Sequence, residues 1–146
     1  MPSSFNFSEA PGHQIRRAHQ LSIALFMEET AAFDVTPVQF AILNALMDDP
    51  GEDQITLAGR VAFDAATSGS VIGRLEAKGW VRREADPADK RRKLLWVTPD
   101  GQKVALQMKR AVSKVQTRLL GPLDAAERKQ LGALLGKLIA GHEDRA

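Results

Sequence analysis

The sequence predicts a mainly α-helical chain with one small β-hairpin, flanked by long helices at both ends. Apolar residues recur at helical spacing in the first 32 residues and again after residue 99. Between them, capping residues and Gly or Pro breaks mark shorter helices. Two short apolar runs joined by a charged turn predict the hairpin. We expect a single domain over residues 1–146, with a compact middle at about 36–98 and terminal helices at about 9–32 and 99–143.

Composition excludes several classes of protein. A chain of 146 residues with 44% apolar residues can bury one core. The absence of cysteine excludes a thiol redox switch, a zinc-thiolate site and a cysteine nucleophile. No apolar run approaches the roughly 20 residues of a membrane span, and residues 1–7 lack the features of a secretory signal. We therefore expect a cytoplasmic protein with no membrane partner.

The first long helix has a wide apolar surface. Its apolar positions follow the helical period at Ile15, Ala18, Leu21 and Leu25. More apolar residues flank this row than a solvated helix needs, so we expect part of the helix to pack on another chain. Residues 1–8 are polar and aperiodic and predict a loose arm.

The second helix has a sharp predicted start. Thr36 is placed as the N-cap, Pro37 as the first helical residue and Gln39 as the residue that closes a capping box. The helix is expected to end at Met47, before the sequence Asp-Asp-Pro-Gly. Residues 54–56 then predict a short strand or an extended lead-in to the next helix.

Two further helices follow in close succession. The first is expected to run from residue 57 to about residue 63. The second follows Asp64, a candidate N-cap, and ends at Gly79. Three apolar side chains of this helix are expected to point inward: Val71, Ile72 and Leu75.

The predicted hairpin comes directly after these helices. Residues 80–84 and 93–97 predict paired strands, and residues 86–92 predict the loop that joins them. Positive charge is concentrated here, because residues 74–93 hold eight Lys or Arg and four Asp or Glu. This segment therefore carries +4 in a chain of +2. Such a concentration of cations is typical of a surface that binds a nucleic-acid backbone.

The last two helices also have clear starts. Thr98 and Pro99 restart a helix that runs to about Leu119, and Asp124 and Glu127 predict a capping box for the final helix. On so small a body the terminal helices have no place to bury their apolar stripes. We therefore predict a two-fold homodimer in which these helices pair with those of a second copy.

Two helices followed by a basic hairpin form the pattern of a winged helix-turn-helix, whose second helix enters the major groove of DNA. The expected recognition helix starts with small and hydroxyl side chains, which allow close approach. They are Ala65, Ala66, Thr67, Ser68, Gly69 and Ser70. The hydroxyl groups are candidates for contacts with phosphates or base edges, and Arg60 and Arg74 for contacts with the backbone. We expect specificity to rest on DNA shape and on the wing.

The hairpin loop carries a run of charges that is expected to reach the minor groove. The run is Asp89, Lys90, Arg91, Arg92 and Lys93. Arginine is favoured in the minor groove by the negative potential there. An acid within this run is explained if its carboxylate orients Arg91 through a local ion pair. Taken alone, such a loop is equally explained as a solvated turn; its position after a small-residue helix favours DNA contact.

Four motifs make the sequence resemble the MarR (multiple antibiotic resistance regulator) family of bacterial transcription factors. They are Thr36-Pro37-x-Gln39-Phe40-x-x-Leu43, Arg74-Leu75-Glu76-x-Lys78-Gly79, Asp86-Pro87-x-Asp89-x-Arg91 and Leu95-x-Val97-Thr98-Pro99-x-Gly101. The resemblance covers about residues 10–142, and the wing motif is specific.

The resemblance implies a triangular homodimer that binds a palindromic operator in double-stranded DNA. The helix of residues 65–78 would lie in the major groove and Arg91 in the minor groove. It also implies a repressor that a small molecule releases from DNA. In resembling proteins the effector pocket lies between the dimerisation helices and the DNA-binding lobe, close to the first helix. Aromatic acids, phenols and aromatic acyl thioesters bind there.

The first helix carries a polar face that suits an anionic effector. His13, Arg16, Arg17 and Gln20 share this face at i, i+3, i+4 and i+7, and His19 lies at its boundary with the apolar side. Arginine binds a carboxylate in bidentate fashion, and histidine bonds a hydroxyl group. We predict an aromatic carboxylate or a related anion as the ligand. Alternatively, these residues pair with acids of the other subunit or face water.

Other functions are less well supported. The glycines lack the spacing of a phosphate-binding loop and no serine lies in a nucleophile elbow, so we expect no catalytic residues and no cofactor. His13 and His19 are six positions apart on a helix and point in different directions, so no metal site is predicted. A winged helix that binds an acidic protein partner instead of DNA remains as the alternative.

Overall fold

The computed structural model describes residues 5–61 and 65–143, which contain six α-helices and a three-stranded antiparallel sheet. The helices are α1 (Pro11–Glu29), α2 (Pro37–Asp48), α3 (Gln54–Arg60), α4 (Ala65–Ala77), α5 (Pro99–Leu119) and α6 (Ala125–Glu143). The strands are β1 (Glu52–Asp53), β2 (Val81–Ala85) and β3 (Lys93–Val97). These residues form two compact units: Phe26–Ser113, and the residues up to Leu25 together with those from Lys114 onwards. In the described ranges, no helix combines the length and apolar character needed to cross a membrane.

Helix α1 is shorter than predicted at both ends. Part of the expected N-terminal arm forms a single 3-10 turn at Phe7–Glu9, while residues 1–4 lie outside the described residues. At the other end, the Thr30 hydroxyl donates to the Phe26 carbonyl oxygen at 2.6 Å. Asp34 then adopts a left-handed φ of 51°. The helix therefore ends three residues before the predicted position.

Helix α2 begins as the sequence predicted. The Thr36 hydroxyl accepts a hydrogen bond from Gln39 N at 3.1 Å, and Gln39 Oε1 accepts one from Thr36 N at 3.2 Å. This capping box satisfies two backbone donors that the first helical turn leaves unpaired. The prediction is confirmed, and the helix extends one residue further than expected.

The segment before α3 corrects one prediction. Residues 54–56, expected to be extended, form the first turn of α3, and the strand β1 lies two residues earlier. The cause is Asp53, whose carboxylate accepts a hydrogen bond from Thr56 N at 3.0 Å and so caps α3. The predicted end of this helix at residue 63 and the predicted cap Asp64 lie outside the described residues. Helix α4 ends before Gly79, which has a φ of 78° and closes the helix as predicted.

The hairpin is confirmed and belongs to a larger sheet. Strands β2 and β3 pair antiparallel, with Val81 opposite Val97 and Ala85 opposite Lys93. Strand β1 adds to the other edge of β3, so the order is β1-β3-β2. The sequence placed a short strand or extended lead-in two residues too late, at residues 54–56, because a two-residue strand has no recognisable period. Strand β1 connects the hairpin to the segment that leads into α3.

One hydrophobic core holds the elements of the Phe26–Ser113 unit together. It contains residues of α2, α3, α4 and the sheet, namely Ile42, Leu43, Leu46, Leu57, Ile72, Leu75, Val81, Leu95 and Val97. The start of α5 is attached to the same body, because Thr98 N donates to the Trp80 carbonyl oxygen at 2.9 Å. Gly101 packs so closely that a Cβ there would collide with this oxygen. The recognition helix and the wing are therefore fixed on one core.

The C-terminal helix starts as predicted and exposes its apolar residues. Asp124 and Glu127 form a reciprocal capping box, with hydrogen bonds of 2.9 and 3.0 Å. Four large apolar side chains of α6 are exposed in the single chain: Leu134, Leu135, Leu138 and Ile139. Helix α1 likewise exposes Ile15, Leu21, Ile23 and Met27. These surfaces are available to a second protein chain.

Candidate nucleic-acid interface and effector region

The outer side of α4 consists mainly of small residues. Its exposed side chains include Ala66, Thr67, Ser70 and Arg74. Gly69 is half-buried, and a Cβ there would lie 3.3 Å from the Gln54 amide nitrogen. The side chain of Ala65 lies outside the described part of the structure. A surface of this kind allows a nucleic-acid backbone or groove to approach the helix closely.

Ser68 requires a correction. Its side chain is fully buried, and its hydroxyl has no hydrogen-bond partner among the described residues. The physical reason is the helical period, because Ser68, Ile72 and Leu75 lie at i, i+4 and i+7 and share the face that packs into the core. The prediction that Ser68 contacts DNA is therefore wrong.

The wing is a turn ordered by its own aspartates. Asp86 Oδ1 accepts a hydrogen bond from Ala88 N at 2.9 Å, and Asp86 N donates to the Arg92 carbonyl oxygen at 2.9 Å. Asp89 Oδ1 accepts from both Arg91 N at 3.1 Å and Arg91 Nε at 3.3 Å. The predicted local ion pair is confirmed. The Arg91 side chain is nevertheless 92% exposed, so it extends away from the protein.

Arg92 lies in a different environment from Arg91. Its Nη2 donates to Asp53 Oδ2 at 3.1 Å, and its Nη1 is 3.6 Å from Asp86 Oδ2. Hydrogen bonds from the Thr56 hydroxyl and backbone, opposed by burial and assisted by Arg92, lower the pKa of Asp53 to about 2. Asp53 is therefore ionised throughout the physiological range. Arg92 thus binds protein carboxylates, and the DNA contact that the sequence predicted for it stays a prediction.

Arg60 is also paired within the protein. Its Nη1 lies 2.6 Å from Asp49 Oδ2 and 3.2 Å from Glu52 Oε2. Asp49 directly follows α2, and Glu52 belongs to β1. The ion pairs therefore join the end of α3 to the segment that precedes it. A contact of Arg60 with the DNA backbone stays a prediction, and it requires the guanidinium to leave or share these carboxylates.

Three other predicted cations point away from the protein. Arg74, Lys90 and Lys93 are exposed and form no ion pair with any described residue. Together with Arg91 they leave four cations available to an anionic partner on α4 and the wing. Three of these cations pair with no described carboxylate, and Arg91 is highly exposed despite its pair with Asp89, so the arrangement favours binding of phosphates.

Sequence reasoning missed the residues that attach the hairpin to the helices. Arg83 on β2 forms an ion pair with Glu76 on α4, and its Nη1 donates to Gln54 Oε1 on α3 at 3.0 Å. Lys78 donates to the Asp34 carbonyl oxygen and lies 4.7 Å from the centre of the Trp80 ring. Gln54 is 29 positions from Arg83, and Asp34 is 44 positions from Lys78. No local sequence signal identifies partners so far apart in the chain.

The predicted effector residues lie on one face of α1. The Arg16 Nη2 is 3.4 Å from His13 Nδ1, and Arg17 Nη1 donates to Gln20 Oε1 at 3.1 Å. The Phe7 ring packs on His13 with 4.6 Å between ring centres. His13 is half-buried, while both arginines and His19 are exposed. The contacts are consistent with the predicted shared face, and the role of these residues in ligand binding stays a prediction.

Comparison with known proteins gives consistent matches. Residues 33–92 match the MarR family. The chain is 35% identical over 127 residues to the transcriptional regulator HosA of Escherichia coli, covering 87% of this chain and 93% of HosA. It is 30% identical over 140 residues to the HTH-type transcriptional repressor NicR of Pseudomonas putida, covering 96% of this chain and 89% of NicR.

A solved structure is similar over nearly the same length. It is that of BpsR from Bordetella bronchiseptica, with a TM-score of 0.88, 34% identity and coverage of 92% of this chain and 96% of BpsR. The BpsR structure concerns regulation of DNA binding by 6-hydroxynicotinic acid. The matched residues 33–92 include α2, α3, α4, β2 and the loop of the hairpin. From these matches and from the winged helix-turn-helix described above, the chain belongs to the MarR family of transcriptional regulators.

Proposed function

We propose that this regulator is a homodimeric repressor that binds a palindromic operator and is released from it by an aromatic anion. The observation that supports DNA binding most directly is the presentation of Arg91. Asp89 orients this side chain while leaving it 92% exposed. Arginine in such a position suits the negative potential of a minor groove. The small outer face of α4 suits close approach to the adjacent major groove.

The dimer is supported by the exposed apolar residues of the terminal helices. Leu134, Leu138 and Ile139 are 65%, 47% and 55% exposed in the single chain. A helix that leaves such residues in water gains stability by burying them against a second copy. Two-fold symmetry then requires an operator with two inverted half-sites.

Sedimentation of the purified protein tests the dimer. Leu138→Glu is expected to shift the wild-type dimer towards monomer, because it puts a charge into an apolar contact. Leu138→Met preserves an apolar side chain of similar volume and is expected to remain dimeric. A wild-type protein that sediments as a monomer at micromolar concentration would contradict this part of the proposal.

The effector class is supported by the polar face of α1 and by one relative. Two arginines and two histidines on or beside one helical face suit a carboxylate and a hydroxyl group. BpsR responds to 6-hydroxynicotinic acid, an aromatic ring that carries both of these groups. We extend this ligand class, an aromatic carboxylate with a second polar substituent, to the present chain.

Fluorescence anisotropy tests the function. The protein is titrated into a labelled duplex from its own promoter region and into a scrambled duplex, each at two salt concentrations. Nanomolar, salt-sensitive binding that prefers the promoter is expected. Equal and weak binding to both duplexes would instead favour a winged helix that binds a protein partner.

A thermal-shift panel tests the effector. Benzoate, a hydroxycinnamate and 6-hydroxynicotinate are each added to the wild-type protein and to the double variant Arg16→Gln/Arg17→Gln. At least one compound is expected to raise the Tm of the wild type and to release the promoter duplex, with a smaller effect on the variant. Lys129→Gln, which removes one exposed cation of α6, is the matched control. No stabilisation of the wild type by any compound would contradict the proposed ligand class.

A further inference from the structure

Arg92 is next to Arg91 in the sequence, but its guanidinium is held by two carboxylates of the protein. It lies 3.1 Å from Asp53 and 3.6 Å from Asp86. The side chains of these acids are only 14% and 15% exposed, whereas that of Arg92 is 52% exposed. Two acids and one cation carry a net charge of −1. This cluster therefore offers no net attraction to a phosphate group.

The register of the sheet explains why Arg92 reaches Asp53. Asp53 on β1 is opposite Leu94 on β3. Arg92 lies in the bend just before β3, two positions from Leu94, and is therefore placed diagonally across from Asp53. A long side chain spans this diagonal distance. Arg91, one position earlier, pairs instead with Asp89 of the same turn and is 92% exposed, so its side chain remains accessible to DNA.

Asp53 connects this ion pair to the helices. Its carboxylate caps α3 by accepting hydrogen bonds from Thr56 N at 3.0 Å and from the Thr56 hydroxyl at 2.6 Å. Leu57 of α3 is in the same core as Ile72 and Leu75 of α4. A continuous set of contacts therefore runs from the wing through Asp53 and α3 to the recognition helix.

We infer that Arg92 and Asp53 are positioning residues, which hold the wing in a fixed orientation relative to α4 and thereby determine operator affinity without contacting DNA. The inference rests on the proposed function, because it assigns these residues a role in operator binding. It replaces the direct contact with the minor groove that the sequence predicted for the wing run containing Arg92. A fixed wing allows Arg91 and α4 to engage adjacent grooves with a smaller loss of conformational entropy on binding.

Asp53→Asn separates positioning from simple electrostatics, because the two predict effects of opposite sign. Removing a negative charge beside a DNA-binding surface raises affinity if charge alone matters. Positioning predicts a loss of about threefold or more at the same salt concentration, the size expected for a partly exposed ion pair. Asparagine preserves the N-cap of α3. Its amide group places donors against the donors of Arg92, so the pair is broken.

A double-mutant cycle in the promoter-binding assay completes the DNA test. Arg92→Ala is expected to lower affinity for the promoter duplex. The double variant Arg92→Ala/Asp53→Asn is expected to lose no more affinity than Arg92→Ala alone. Lys90→Ala is the matched control for loss of a cation from the wing, and its effect is expected to add to that of Asp53→Asn. Unchanged or higher affinity for Asp53→Asn, or additive losses in the cycle, would overturn the inference.

Amide hydrogen exchange of the DNA-free protein gives an independent readout. Exchange at Asp86 N and Arg92 N, both hydrogen-bonded in the wing, is expected to be at least about threefold faster in Asp53→Asn and unchanged in Lys90→Ala. Unchanged wing exchange in Asp53→Asn would overturn the inference by itself. If the wild type binds its promoter duplex no better than the scrambled duplex, the proposed function fails. The exchange measurement still decides whether Asp53 orders the wing.

Discussion

The carboxylate of Asp89 holds Arg91 through two hydrogen bonds, one to the backbone nitrogen at 3.1 Å and one to Nε at 3.3 Å. Both bonds act between residues two positions apart, so they form within the turn and need no distant partner. They restrict the side chain near its base while its outer nitrogens remain exposed. Arg91 is therefore partly ordered before any DNA arrives, which reduces the entropic cost of binding.

Arg91→Ala is expected to lower promoter affinity about tenfold and to reduce the slope of log affinity against log salt concentration by about one. The cause is the loss of the cation assigned to the minor groove. The Tm is expected to stay within the error of the wild type, because the side chain is 92% exposed. Arg91→Lys, which retains the charge, is expected to show an intermediate loss. Wild-type affinity for Arg91→Ala at the same salt concentration would disprove the wing assignment.

The low pKa of Asp53 predicts an acid-dependent contribution to stability. Folding lowers this pKa from 3.8 to about 2, so the folded state favours the ionised carboxylate. Its stabilisation is therefore fully present above about pH 5 and is lost as the pH falls from about 5 towards 2. The free energies of unfolding of the wild type and Asp53→Asn are expected to differ by a constant amount from pH 5 to 8 and to approach each other as the pH falls from about 4 towards 2. A difference that grows on acidification would contradict the assignment.

Gly101→Ala is expected to destabilise the protein by about 1–3 kcal/mol, because the added methyl group collides with the Trp80 carbonyl oxygen and Val97. Gly73→Ala is the matched control, since a Cβ at that helical position meets no atom within 4 Å. The control is expected to be stabilised by about 0.5–1 kcal/mol through helix propensity. Urea denaturation measures both effects. Equal stability of the two variants would argue against the close approach of α5 to β2.

Lys78→Met is expected to destabilise the protein by roughly 1 kcal/mol. The change removes a hydrogen bond to the Asp34 carbonyl oxygen and a cation–π contact with Trp80, both made by a largely buried side chain. Lys90→Met, at an exposed position without an ion pair to any described residue, is expected to change stability by less than about 0.5 kcal/mol. The comparison uses urea denaturation at neutral pH. A similar loss in both variants would show that the Lys78 contacts contribute nothing specific.

Much of the fold was predictable from local signals. The capping boxes at Thr36 and Asp124 and the glycine end of α4 are confirmed, because each depends on residues within a few positions of one another. The hairpin was recognisable because its two apolar runs lie close together in the sequence and are joined by a charged loop. The strand β1 was placed wrongly, since it exists only through pairing with β3, about 40 residues away.

In the candidate site, too, contacts between near neighbours in the sequence were predictable and contacts between distant residues were not. By itself the sequence determined which residues are cations, that Asp89 bonds to Arg91, and that small side chains cover the start of α4, all of which depend on near neighbours. Only the tertiary structure decided that Ser68 is buried, since the side of α4 that packs inward is chosen by the whole core. It likewise decided that Arg92 binds Asp53, because that contact depends on the register between two strands distant in the chain.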